Sequence, residues 1–270
     1  MSVVDIHPHV IAHDTRRYPF APLGGKQSDW SRERPVDAEK MLAAMDEAGI
    51  ERSVLVQAST CYGHDNSYVA DAVAAHPARF AGVFSVDMLA ADAPQRIRHW
   101  LERGLKGLRV FIAGHTTAHD ARLDDPRSFP AWRCAVDAGI PVCVQLRAPG
   151  LPQLETLLKE FPSARIVLDH MARPAPDDAG SLFSLASYSN LFLKFTTHNV
   201  RDAVKAKTTP QAFMRRVVDT FGARRIAWGS NYPASEGSLG ALLADARQAV
   251  FALPAIDQEW IFSRTANSLY

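Results

Sequence analysis

The sequence predicts an α/β protein, a single (β/α)8 barrel spanning residues 1–270. Three observations lead there. Eight short, β-branched runs alternate with longer helical patterns from end to end. Several helical patterns stop at a glycine that leads straight into the next run, as at Gly49, Gly104 and Gly139. No glycine-rich phosphate loop follows the first run, as an open doubly wound sheet would usually carry. A chain of 270 residues suits one such domain and is long enough to bury a large core without staples.

The runs read as strands are Val3–Ile6, Arg52–Gln57, Phe80–Val86, Leu105–Val110, Pro141–Gln145, Arg165–Leu168, Leu191–Phe195 and Arg225–Trp228. Between them, helical patterns cover Val36–Gly49, Ser67–His76, Ala93–Arg103, Arg127–Gly139, Leu151–Phe161 and Pro210–Phe221. The first connection, from His9 to about Pro35, is unusually long. Its run from Tyr18 to Gly25 and its Trp30 mix aromatics, prolines and glycines, which predicts a structured flap over the site.

Composition narrows the function classes. The net charge of +1 is dispersed, with no basic stripe for nucleic acid and no polybasic tail for a membrane. No apolar run approaches the ~20 residues of a membrane helix. Cys61, Cys134 and Cys143 are an odd number at wide spacing and form neither a disulfide framework nor a zinc knuckle. With the first strand starting near residue 3, no room remains for a signal peptide, and the expectation is a reduced, cytoplasmic protein. The oligomeric state is not legible.

In such a barrel the site forms where strands end and loops begin. His7 and His9 close the first run, and strict alternation would put Asp5, His7 and His9 on one face. His170 ends the sixth run, and three imidazoles plus water make a competent divalent site. Arg109 and Arg173 end apolar runs and could meet an anion, and Lys194 could clamp a carboxylate. Gln57, Ser59, Gln145 and His198 sit at other strand ends. His76, His99, His115 and His119 lie in or beside helices and read as solvated.

Four segments form a recognisable set: Asp5 to His9, Leu168 to Pro174, Trp228 to Pro233, and Thr265 to Tyr270. Together they resemble the amidohydrolase superfamily, and most closely its amidohydrolase-related branch, which includes sugar lactonases and 2-pyrone-4,6-dicarboxylate lactonases. Tyr18 to Pro22, Val54 to Ser59 with His64-Asp65-Asn66, and Gly107-Leu108-Arg109 extend the likeness over essentially the whole chain. The resemblance implies hydrolysis of a cyclic ester. It places His7, His9 and His170 in the site, with Arg109 and Arg173 holding substrate carboxylates and Ser59 as a pocket contact.

The chain departs from the family at strand eight, where Asn231 stands in place of the usual Asp. An amide is no base near neutral pH and a weaker metal ligand than a carboxylate. Gln145 also stands where the family has a strand-five histidine or lysine. The resemblance therefore allows a divalent metal on His7, His9 and His170, zinc first, without requiring one. The expectation is a hydrolase of a small carboxylated substrate, best a lactone, with His170 or His198 as base. The alternatives are a decarboxylase of the same branch and a barrel that binds a small acid without turnover.

Overall fold

The structure, a computed structural model, describes residues 2–111, 122–206 and 208–270. His115 and His119 lie outside the described residues. Eight strands form one sheet in sequence order: β1 (Val4–Asp5), β2 (Arg52–Val56), β3 (Phe80–Ser85), β4 (Gly107–Phe111), β5 (Pro141–Gln145), β6 (Arg165–Leu168), β7 (Leu191–Thr196) and β8 (Ile226–Gly229). Every paired neighbour is parallel. The Ile6 N–H donates to Trp228 O at 3.1 Å and the Asn231 N–H to His7 O at 3.0 Å, which brings the end of β8 back to the segment after β1. The fold is a (β/α)8 barrel, and each expected strand lies within two residues of its expected bounds. Parallel strands buried on both faces need helices outside, and the apolar faces of helices such as Ala38–Ala48 and Pro210–Phe221 supply them.

The barrel interior is layered. An inner apolar cluster holds Val4, Ile6, Val54, Val56, Ala81, Val83, Cys143, Val167 and Ala227. The terminal helix Thr265–Leu269 plugs it at the N-terminal end of the strands with Ala266 and Leu269. Tyr270 adds a hydroxyl 3.2 Å from Cys143 Sγ. Toward the C-terminal ends of the strands, the buried set turns polar: Ser85, Arg109, Gln145, Lys194 and Thr196. Buried polar groups cost free energy unless they are paired, so this layer is where chemistry is to be sought.

The first strand differs from its expected pleat. β1 stops at Asp5 and the chain bends at Ile6. Alternation therefore does not carry His7 and His9. Pro8 has no N–H to give a ladder, and the segment is pinned from both sides instead. The Val56 N–H donates to Pro8 O at 2.9 Å, and the His9 N–H donates to Tyr232 O at 2.8 Å.

His7 needs β8 to lack a side chain at its last residue. A Cβ on Gly229 would stand 2.5 Å from His7 Cβ and 3.1 Å from its backbone nitrogen. Gly229→Ala is therefore expected to lower unfolding free energy by about 1–3 kcal/mol, the usual cost of overpacking. Gly180→Ala, whose added Cβ meets nothing within 4 Å, is expected to be near neutral in the same urea titrations. Equal effects of the two changes would show that the barrel yields at Gly229.

Candidate active site

His7, His9 and His170 converge at the C-terminal mouth. The rings of His7 and His9 are 5.0 Å apart and those of His7 and His170 are 4.7 Å apart, centroid to centroid. His198 joins them edge-on, 4.9 Å from His170. Trp30 of the long first connection stacks on His9 at 5.3 Å, so the flap covers that imidazole. Tyr18 and Phe20 act elsewhere. Tyr18 donates to Asp71 and Phe20 packs on Tyr62, which fastens the flap to the barrel.

Each imidazole is held through Nδ1. His9 Nδ1 lies 2.8 Å from Val56 O, an acceptor only, so this nitrogen carries the proton and Nε2 keeps a lone pair. His170 Nδ1 lies 2.9 Å from Thr196 Oγ1. The Thr196 hydroxyl has its own acceptor in Asn199 Oδ1 at 3.3 Å, so His170 donates and its Nε2 is also free. His7 is different: Lys194 Nζ donates to its Nδ1 at 3.1 Å, and its buried Nε2 has no hydrogen-bond partner among the described residues.

His170 is positioned by an uncommon backbone. Residues His170, Met171, Ala172 and Arg173 all have positive φ, between 49° and 58°. A left-handed conformation costs a non-glycine residue about 1–2 kcal/mol. Such runs persist only where the surroundings impose them. Here Asn199 Nδ2 donates to His170 O at 2.8 Å. At the other end, Arg173 forms two bonds to Asp202, at 2.6 and 2.7 Å.

The residues expected to anchor substrate carboxylates already have acidic partners. Asp169, which sequence reasoning did not single out, is fully buried between two cations. Lys194 Nζ lies 2.9 Å from its Oδ1 and Arg109 Nε lies 2.9 Å from its Oδ2. Burial alone would raise this carboxyl, but the Lys194 and Arg109 charges outweigh it and hold it well below the usual range. The available signal was an acid directly before His170 at the end of an apolar strand. Arg173 is committed to Asp202. Gln57 binds Gly63 O and Asp65 O and so braces a loop, and Ser59 bonds Ser85. Among the described residues none of these three hydrogen-bonds an imidazole of the cluster. Gln145 Oε1 is buried without a partner among the described residues. Asn231 has positive φ, and its Nδ2 reaches His198 Nε2 at 3.3 Å and Ser235 Oγ at 3.1 Å.

The donor set does not fit a divalent cation. Among the described residues no group of three or more His, Cys, Asp or Glu is arranged to hold one. The carboxylate nearest the imidazoles is already neutralised by Lys194 and Arg109, and the strand-eight residue is an uncharged amide. A further double positive charge here would sit beside two buried cations.

Comparison with known proteins agrees with this architecture. The amidohydrolase family model matches residues 4–270. The chain belongs to that family. An L-fucono-1,5-lactonase from Burkholderia ambifaria is 28% identical over 257 residues, covering 89% of this chain and 85% of that protein. The solved structure of a probable 2-pyrone-4,6-dicarboxylic acid hydrolase from Acinetobacter baumannii, with citric acid bound, superposes with a TM-score of 0.75 at 20% identity. That match covers 100% of this chain and 99% of the other. An amidohydrolase from Burkholderia multivorans with bound zinc gives 0.78 at 18% identity, over 100% of this chain and 99% of its own. No helix among the described residues of this amidohydrolase is long and apolar enough to cross a membrane.

Burial, with the nearby arginines, pushes the His9 imidazole down to about 3 and that of His198 down to about 4. Both are neutral near pH 7. Unfolding returns them to about 6.5, so below that pH the unfolded chain binds protons that the native state refuses. Stability is therefore expected to fall as pH drops from 6.5 toward 4. His198→Gln removes one share of that slope. Urea unfolding at pH 7 and pH 5 should show the parent losing about 2 kcal/mol more than the variant. Parallel losses would mean that His198 protonates in the native state.

Proposed function

We propose that this amidohydrolase opens a small cyclic ester that carries a carboxylate. The observation that carries the reading is the split protonation of the imidazoles. His7 offers an N–H through Nε2, while His170 offers a lone pair through Nε2 in the same pocket. One nitrogen can stabilise developing negative charge while the other takes a proton from water.

The reaction follows from those two groups. Water gives a proton to His170 Nε2 as its oxygen attacks the carbonyl carbon. The carbonyl oxygen becomes anionic and receives the His7 Nε2–H bond, with the Lys194 charge behind that ring. Collapse breaks the bond from the acyl carbon to the ring oxygen, and His170 returns its proton to the departing alkoxide. The product is an open-chain hydroxy acid. His198 is the weaker base candidate, because its Nε2 faces the Asn231 amide. Trp30 shields His9 and helps exclude bulk water, which strengthens these interactions.

Arg109, Arg173 and Lys194 serve their acids in this reading. The substrate carboxylate falls to Arg147, at the end of β5. Arg147 is exposed, its guanidinium has no hydrogen bond or ion pair among the described residues, and partial desolvation with the Arg173 charge lowers its pKa from the usual arginine value. An anion arriving there offsets the repulsion between the two guanidinium groups. The lactonase among the relatives and the citric acid in another support a carboxylated lactone for this chain.

The test is a pH-stat assay of aldonolactones and pyrone dicarboxylates, run alongside carbon dioxide detection on aromatic acids. Acid release with ring opening is expected. Carbon dioxide without a ring-opened product would assign the decarboxylase reading, and tight binding with no turnover would assign a binding protein. His170→Asn should lower kcat by roughly 10²–10⁴-fold, the usual share of a general base. Arg147→Ala should raise KM by about tenfold or more for the carboxylated lactone and leave a neutral one unaffected. A loss in kcat alone would remove Arg147 from substrate binding.

A further inference from the structure

Histidines that ligate metals almost always give their second ring proton to a carboxylate or carbonyl, which leaves the other nitrogen free for the cation. His9 and His170 follow that pattern, through Val56 O and Thr196 Oγ1. His7 reverses it. The nearest carboxylate oxygen, Asp169 Oδ1, lies 3.6 Å from His7 Nδ1, beyond hydrogen-bond distance. Lys194 Nζ bridges the two, 3.1 Å from Nδ1 and 2.9 Å from Oδ1. An ammonium has protons to give and no lone pair. His7 Nδ1 must therefore accept, and the ring proton resides on Nε2. That atom is buried and has no partner of its own among the described residues, so it is a donor awaiting an acceptor.

We propose that Lys194 is a positioning residue that holds His7 as the Nε2–H tautomer, so that the pocket of three histidines accepts an anionic oxygen and refuses a divalent cation. A purely structural Lys194 would only neutralise Asp169. Arg109 already holds the other oxygen of that carboxylate, so neutralisation alone does not require an ammonium against His7. With Lys194 removed, Asp169 Oδ1 becomes the natural acceptor for His7 Nδ1. The ring then presents the Nε2 lone pair near the rings of His9 and His170, and a neutral imidazole with a free lone pair is a ligand that zinc takes. The use of the His7 donor for a reaction oxyanion rests on the hydrolase reading; the tautomer and the cation preference do not.

The experiment combines two readouts on the full chain. Two-bond ¹H–¹⁵N spectra of the wild type, assigned with His7→Gln, should show His7 protonated at Nε2. A wild-type His7 protonated at Nδ1 overturns the proposal whatever the variants do. Zinc alone is then titrated into wild type, Lys194→Met and Lys194→Arg, with bound metal measured after dialysis. Lys194→Met should move the His7 proton to Nδ1 and tighten zinc binding by at least tenfold. Lys194→Arg, still an obligate donor, should keep both wild-type properties. Equal zinc affinity in wild type and a folded Lys194→Met refutes the role. If Lys194→Met does not fold, the wild-type tautomer and the Lys194→Arg titration decide, and tight zinc binding by wild type counts against the proposal. Failure of the hydrolase reading would appear instead as absent turnover by a wild type that still carries the Nε2–H tautomer.

Discussion

The carboxylate of Asp169, buried between Lys194 and Arg109, organises the rest of this barrel. It follows β6 directly and receives one cation from β4 and one from β7, so three strands of the barrel meet on one side chain. Taking these charges out of water is costly, and their mutual attraction repays the cost only with good geometry. Each oxygen of Asp169 has a cation at 2.9 Å. Removing one partner would strand the others, which makes the group interdependent. Its reach extends further, because the ammonium that binds Asp169 also binds His7.

The second constraint is the left-handed turn after β6. Four consecutive side chains with positive φ are unfavourable on their own, yet this turn aims His170 at His7. Support comes from the helix Thr197–Lys205, which holds both ends of the arrangement through Asn199 and Asp202. Asn199 takes part in the capping box with Thr196 and also bonds His170 O, while Thr196 Oγ1 receives the His170 ring proton. One helix start thus sets the backbone, orientation and tautomer of the candidate base. Strain of this kind commonly marks functional sites, and here its compensation comes from named neighbours.

Much of the fold was legible because barrel strands and their helices are local patterns. Pro141–Gln145 and Arg165–Leu168 stand as expected, and helix Pro210–Phe221 has the expected bounds. The first strand departed from expectation because hydrogen bonds to Trp228, Tyr232 and Val56, remote in the chain, pin the segment from Ile6 to His9. The histidines at the strand ends were legible as site candidates, because polar residues closing apolar runs have one natural destination in a barrel. Arg109 and Lys194 were read as partners for a substrate. A strand shows that a cation faces inward, but not that an acid from another strand already occupies it.

The sequence by itself determined the α/β class, the number and order of strands, and the mouth of the barrel as the place for chemistry; Asn231 stood out at strand eight only through the resemblance to the amidohydrolases. These depend on periodicity, turn residues and composition, which act over a few neighbouring residues. Only the tertiary structure decided that Asp169 is the buried counter-ion, that Arg173 belongs to Asp202, and that His7 donates where His9 and His170 accept. Those outcomes turn on differences of a few tenths of an ångström between groups as far apart in sequence as His7 and Lys194, where an ammonium at 3.1 Å replaces a carboxylate at 3.6 Å as the partner of a ring nitrogen. Hydrogen bonding changes sharply over such distances, and no local pattern encodes them.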